Sequence, residues 1–189
     1  MAEQETLGPG HHVLNHAKLG MYFALHLPEV NTYQSLVLAL HYGGPRNVFT
    51  GSELLHKLIV PALEALNPVF LAPVCKAPNW EHPDAAGNVL AMTEEMVRAF
   101  DVKPSRVVIV GYSMGGAGAW HLAKTYPERF AAIVPVSAQP VSALPLEGWR
   151  VPVFAIHSRA DDLFPYQSAE EAIAALRRRN VNAMLTLRN

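Results

Sequence analysis

At 189 residues, half of them apolar and 16% charged, the chain is long enough to bury a core of two or three layers within one domain. A net charge of −1, with Arg177-Arg178-Arg179 as its one short basic run, excludes the electrostatic footprint of a nucleic-acid binder. No stretch nears the roughly 18 apolar residues of a membrane span, the opening Met1-Ala2-Glu3-Gln4-Glu5 is too acidic for a secretory leader, and a lone cysteine, Cys75, excludes an intrachain disulfide, so a cytoplasmic protein is expected.

Taken in chain order, Gly8-Pro9-Gly10 reads as a loop. Strand-like runs follow at 21–27, 35–40, 69–73, 106–110, 131–136, 153–157 and 183–187, each rich in aliphatic or aromatic residues and bounded by Gly, Pro or Asn. Between them, apolar residues return at three- and four-residue steps over 52–66, 88–100, 116–126 and 168–179, which predicts helices. Ser52 and the Ser168/Glu171 pair are candidate N-terminal caps. Single helices between strands imply right-handed crossovers and a mainly parallel sheet covered on both faces. The first two strands, joined by the short link 28–34, are expected to pair antiparallel at an edge. The whole of 1–189 reads as a single three-layer α/β domain. Its least regular connection, 139–152, is too short for a large lid, which predicts an open site.

The most informative segment is Gly111-Tyr112-Ser113-Met114-Gly115-Gly116, directly after the aliphatic run Val107 to Val110 and before the helical Ala117 to Lys124. A serine between small residues at a strand-to-helix turn is the pattern of a nucleophile elbow, in which a strained bend exposes the hydroxyl. The aliphatic run upstream is the context that this motif requires. Ser113 is therefore the expected nucleophile, placed beyond the carboxyl end of a parallel strand, where ligands of such sheets bind.

A serine hydroxyl needs a base, an acid to orient the base, and donors for the oxyanion. His41-Tyr42-Gly43-Gly44 ends an early strand, and we assign the oxyanion donors to the backbone N–H groups of Gly43 and Met114, with Tyr42 as the alternative to Gly43. Asp161, just past a later strand, is the expected acid; Asp162 is its close rival. Trp80 and Gln139, with Tyr42, are candidates for the substrate pocket, and packing explains the first two equally well. None of the nine histidines follows Asp161, although the usual order is serine, acid, histidine. The base is accordingly expected beyond Asn189, in a final loop and covering helix that the sequence lacks. Rival readings are substitution by His41, His121 or His157, and a relative without catalytic activity. A zinc site at His11, His12 and His16 is a weaker alternative, since no acidic or cysteine ligand accompanies it; no metal and no cofactor is expected.

The Gly-Tyr-Ser-Met-Gly-Gly segment with Gly118, the following 126–136 run and His157 through Pro165 resemble the phospholipase/carboxylesterase branch of the α/β hydrolase superfamily, and are similar also to feruloyl esterase and dienelactone hydrolase relatives. The resemblance spans about 41–189. It implies a three-layer α/β hydrolase fold, hydrolysis of a small-molecule carboxylic ester through an acyl-enzyme, no cofactor, and Ser113 and Asp161 in the nucleophile and acid positions. His-Tyr-Gly-Gly departs from the commoner His-Gly opening of the oxyanion segment. A thioesterase or peptidase would use the same groups.

Overall fold

The computed structural model describes residues 7–29, 33–140 and 145–189. Eight strands form one sheet in the order β1-β2-β4-β3-β5-β6-β7-β8: β1 (Gly10–His16), β2 (Met21–Leu27), β3 (Leu36–Leu40), β4 (Val69–Pro73), β5 (Val107–Tyr112), β6 (Ala132–Val136), β7 (Val153–Ser158) and β8 (Ala183–Arg188). From β4 to β8 every neighbouring pair is parallel; β1–β2 and β2–β4 are antiparallel.

Two expectations about the amino-terminal edge are corrected. Residues 10–16 form a strand, beginning inside the expected Gly8-Pro9-Gly10 loop and running over residues given no strand, paired with β2 through the four-residue turn 17–20, which Gly20 closes at φ 58°. Its sequence, Gly-His-His-Val-Leu-Asn-His, hid this because an outermost strand with one wet face carries polar side chains. The antiparallel edge is therefore β1–β2, and β2 is not a neighbour of β3. The run Leu-Val-Leu-Ala-Leu of β3 is buried at all five positions, a pattern that only the interior of a sheet covered on both faces satisfies, and it lies between β4 and β5.

Helices α1 (Thr50–Leu54) and α2 (Val60–Leu63) form a continuous rod with a π-helical turn at Leu55–Ile59 and a 3₁₀ turn at Glu64–Leu66. The wide turn immediately precedes Pro61, which has no N–H to give to an α-helical ladder. Next come α3 (Pro83–Ala99), α4 (Met114–Thr125) and α5 (Tyr166–Arg178). Neither Ser52 nor Ser168 is a cap, because the helices begin two residues earlier. Phe49 and Pro165 hold those positions without a side-chain bond. The start of α3 is earlier still than expected: Pro83 fits the first helical position, and the His82 ring accepts from the Asp84 N–H at 3.3 Å.

Strand alternation divides the core. One side chain set packs α3, α4 and α5 against Leu36, Leu38, Leu40, Leu71, Ile109, Ile133 and Val153. The other packs α1 and α2 against Val37, Ala39, Phe70, Ala72 and Val110. The second face is covered over β2 to β5, whereas at β7 and β8 Ile156 and Met184 stay 38% and 49% exposed. Among the described residues, no helix is long and apolar enough to cross a membrane.

Candidate active site

The site begins where β5 ends. Ser113 follows Tyr112 with φ 54° and ψ −117° and heads α4. A side chain in this region of backbone space costs about 1–3 kcal/mol, and three hydrogen bonds hold it there: Ser113 N–H donates to the Val136 carbonyl of β6 at 2.9 Å, while its own carbonyl accepts from Gly116 and Ala117 N–H at 2.8 and 3.1 Å. The bend closes because its flanks lack side chains. A Cβ on Gly111 would lie 2.1 Å from the Gly115 carbonyl oxygen, and one on Gly115 would lie 1.9 Å from that of Leu40. Ser113 itself is half-buried, with part of its surface open.

Beside it, Gly43 approaches Met114: a Cβ at Gly43 would sit 3.6 Å from Met114 Sδ and 3.7 Å from Met114 Cβ. The Tyr42 ring meets Tyr112 edge-on at 6.0 Å between centroids. The two expected donor residues, the alternative Tyr42 and Ser113 are thus gathered at one corner, at the N-terminus of α4, where the helix dipole favours negative charge.

His41 anchors this corner from beneath. Fully buried, its Nδ1–H donates to the Tyr42 carbonyl at 2.7 Å, its Nε2 accepts from Cys75 N–H at 3.0 Å, and its carbonyl accepts the Trp80 indole N–H at 2.9 Å. With both ring nitrogens engaged, the imidazole is neutral and structural, and it does not serve as a base. Burial lowers its pKa, outweighing the opposing bond to Tyr42, and the Arg46 charge acts in the same direction as burial. The sign for stability follows. Below the unfolded value of 6.5 the unfolded chain takes up a proton that the native ring refuses, so stability is present above that value and falls as the pH drops beneath it. Going from about pH 7.5 to about pH 5.5, the urea midpoint should decrease, and His41 ring resonances should titrate below the ordinary histidine value of 6.5; a His41 that titrates at or above that value would contradict this.

Trp80 belongs to the same structural group. It is fully buried, bonded to His41 and pressed against Gly118, where a Cβ would fall 2.3 Å from Trp80 Cβ. Of the two readings open for it, its full burial and its bond to His41 favour packing. Cys75 is buried as well, and burial pushes its thiol pKa up, so it is not a second nucleophile.

Asp161, the expected acid, lies two strands away on the same rim. Asp161 follows β7 in a tight turn, where Oδ1 accepts from the N–H groups of Leu163 and Phe164 at 3.1 and 2.9 Å and Oδ2 lies 3.3 Å from His157 Nε2. Burial opposes its charge, but the Phe164 and Leu163 donors, His157 and the Ser137 hydroxyl together outweigh it and hold the carboxyl below its usual range. Its side chain is 13% exposed, whereas Asp162 is exposed to solvent. Ser137 closes the row: it follows β6 at φ 46° and donates its N–H to the Ile156 carbonyl at 2.9 Å. Ser113, Ser137 and Asp161 thus stand on three adjacent strand ends.

The model of the dienelactone hydrolase family matches residues 75–187, a span that contains the elbow, the Ser137 bend and the Asp161 turn. The chain belongs to the dienelactone hydrolase family. Among similar proteins are the bifunctional acetylxylan esterase/xylanase XynS20E of Neocallimastix patriciarum, 29% identical over 82 residues (43% of this chain, 12% of that protein), and the putative esterase NocK of Nocardia uniformis subsp. tsuyamanensis, 33% identical over 88 residues (44% of this chain, 25% of that protein). Among solved structures, a thermostable esterase superposes with a TM-score of 0.73 at 20% identity, covering 94% of this chain and 53% of its own. That superposition shows the α/β hydrolase fold. The chain therefore spans about an eighth and a quarter of the two curated relatives and about half of the esterase.

Several of the histidines are committed to partners of their own. His11 Nε2 pairs with Ser52 Oγ at 2.7 Å, His12 Nε2 with the Gly8 carbonyl at 2.8 Å and His16 Nε2 with Glu95 Oε2 at 2.8 Å. These three lie on a strand and are committed to separate partners, which removes the basis for reading them as a zinc site. Among the described residues, no three His, Cys, Asp or Glu side chains are placed to hold a metal ion. His121 lies eight residues along α4 from Ser113, about 12 Å in axial rise, and the buried His157 gives its Nε2 to the Phe164 carbonyl at 2.7 Å. Gln139 is half-buried, and its Oε1 has no hydrogen-bond partner among the described residues; part of the connection that follows it, 141–144, lies outside the described residues. A separate apolar cleft of about 340 Å³, lined by Leu90, Val97, Arg98, Arg129 and Phe130, borders Val107 at the start of β5, the opposite end of the strand from Ser113, and brings no catalytic group to the site. The sequence reading missed Ser137. Its one signal was a serine immediately after an aliphatic strand, which many turns share.

Proposed function

We propose that this protein is a serine esterase that hydrolyses small-molecule carboxylic esters through an acyl-enzyme on Ser113. The observation that carries the reading is the backbone of Ser113, a non-glycine residue at φ 54° and ψ −117° at the head of α4; strain of this kind is kept where a bend must present a nucleophile. Membership of a hydrolase family and likeness to an acetylxylan esterase support ester substrates.

In this reading Ser113 Oγ attacks the ester carbonyl as an imidazole removes its proton. The tetrahedral oxyanion faces the N–H groups of Gly43 and Met114, the alcohol departs with the proton, and water repeats the sequence on the acyl-serine. Asp161 orients the imidazole. Because none of the nine histidines follows Asp161 in the sequence, we assign that imidazole to a residue outside these 189. Gln139, with its unpaired oxygen, and Tyr42 would border the substrate.

A second reading, an interaction protein on a hydrolase fold, draws on the same placement of the histidines. The two separate by labelling. In a form of the protein that extends past Asn189, a fluorophosphonate probe should add once, at Ser113 by peptide mass spectrometry, and a panel of short and long acyl esters, thioesters and peptides should show ester turnover with a burst of alcohol. Absence of both the adduct and the turnover would leave the non-catalytic reading in possession.

A further inference from the structure

We propose that His157 is a positioning residue for the Asp161 carboxylate, acting as a neutral clamp across the turn that carries the acid. The residue lies on β7 with its side chain fully buried, and Nε2 faces two oxygens, the Phe164 carbonyl at 2.7 Å and Asp161 Oδ2 at 3.3 Å. A nitrogen facing two acceptors needs its proton. The other ring nitrogen gives the same answer: Nδ1 is buried with no hydrogen-bond partner among the described residues, and an N–H there would be a buried donor without an acceptor. The ring is thereby fixed as the Nε2–H tautomer: its proton goes to the Phe164 carbonyl at 2.7 Å, and Asp161 Oδ2 lies against the same N–H at 3.3 Å.

The clamp complements the rest of the turn. Leu163 and Phe164 N–H groups hold Oδ1, and His157 Nε2 lies 3.3 Å from Oδ2, so the carboxylate is hydrogen-bonded on one oxygen and in electrostatic contact on the other, while Phe164 is held through both its N–H and its carbonyl. Rotation of Asp161 about its side-chain bonds would break the two Oδ1 bonds and lose the contact with His157. A catalytic acid has to hold its imidazole partner within a few tenths of an ångström of productive geometry, and His157 supplies a rigid contact for that from the core side. Its catalytic meaning rests on the reading of Asp161 as the acid; the clamp itself does not.

The test uses the 189-residue chain. Nitrogen-15 NMR of the wild-type imidazole should show His157 protonated at Nε2 and bare at Nδ1; an Nδ1–H tautomer overturns the proposal without any variant. Carboxyl carbon-13 titration should then place Asp161 below ordinary aspartates in the wild type, with an upward shift in His157→Leu and return toward the wild-type position in His157→Gln, whose Nε2 amide can reach the same oxygens. An Asp161 titration in folded His157→Leu that matches the wild type also overturns it. If Asp161 responds as expected while Ser113 takes no fluorophosphonate in the longer form, the esterase reading fails and the clamp stands.

Discussion

Ser113→Ala should abolish fluorophosphonate labelling and lower ester kcat by about 10⁶-fold, roughly 8 kcal/mol of transition-state stabilisation, in a form of the protein that carries the base. The size follows from the loss of covalent catalysis altogether: serine, imidazole and acid act as a unit, so removing the serine costs nearly as much as removing all three. What remains is the contribution of the oxyanion corner and of substrate binding, and KM should accordingly change little. Progress curves with p-nitrophenyl acetate, with the variant as its own control for solvent hydrolysis, measure the ratio. A variant that kept even a tenth of the wild-type rate would remove Ser113 from the chemistry.

Gly115→Ala should cost at least about 3 kcal/mol of stability and lower the melting temperature by about 6–12 °C for a domain of this size. The added Cβ would lie 1.9 Å from the Leu40 oxygen, 2.5 Å from the Leu40 carbonyl carbon and 2.9 Å from the His41 oxygen. All three obstacles are backbone, so no side-chain rotation relieves them, and α4 has to lift away from β3. Gly87→Ala supplies the contrast. It is exposed within α3, with nothing within 4 Å of its Cβ, and the exchange should stabilise by up to about 1 kcal/mol through helix propensity. Thermal melts followed by circular dichroism compare the two; equal melting temperatures would mean that the elbow is looser than its packing implies.

How much of this was legible beforehand depended on what kind of physics set each residue. Continuous aliphatic runs announced β3 to β7, and the glycines around Ser113 announced the bend, because burial on both faces and close approach leave few residue choices. β1 was not legible: its pairing with β2 is a long-range fact, and its histidines are the side chains that a half-wet outer strand tolerates. The early start of α3 was obscured by Pro83 and Gly87, each of which breaks a helical pattern when read locally. At the site, Ser113 and the donor corner came from contiguous sequence. The difference between Asp161 and Asp162, the inert role of His41 and the bond from Ser137 to Asp161 depend on where β6 and β7 end relative to each other, which periodicity does not encode. Trp80 illustrates the same limit: an aromatic near a strand end looks the same in sequence whether it meets a ligand or, as here, roofs a buried imidazole.

The torsion angles at residue 113 carry a last consequence. A glycine occupies φ 54°, ψ −117° far more readily than any L-residue with a side chain, so Ser113→Gly should melt higher than the parent, by an amount equivalent to about 1 kcal/mol or more once the flexibility glycine adds to the unfolded chain is subtracted. On the esterase reading the protein would then be sturdier and chemically mute, resilience at this one residue having been surrendered in exchange for reactivity.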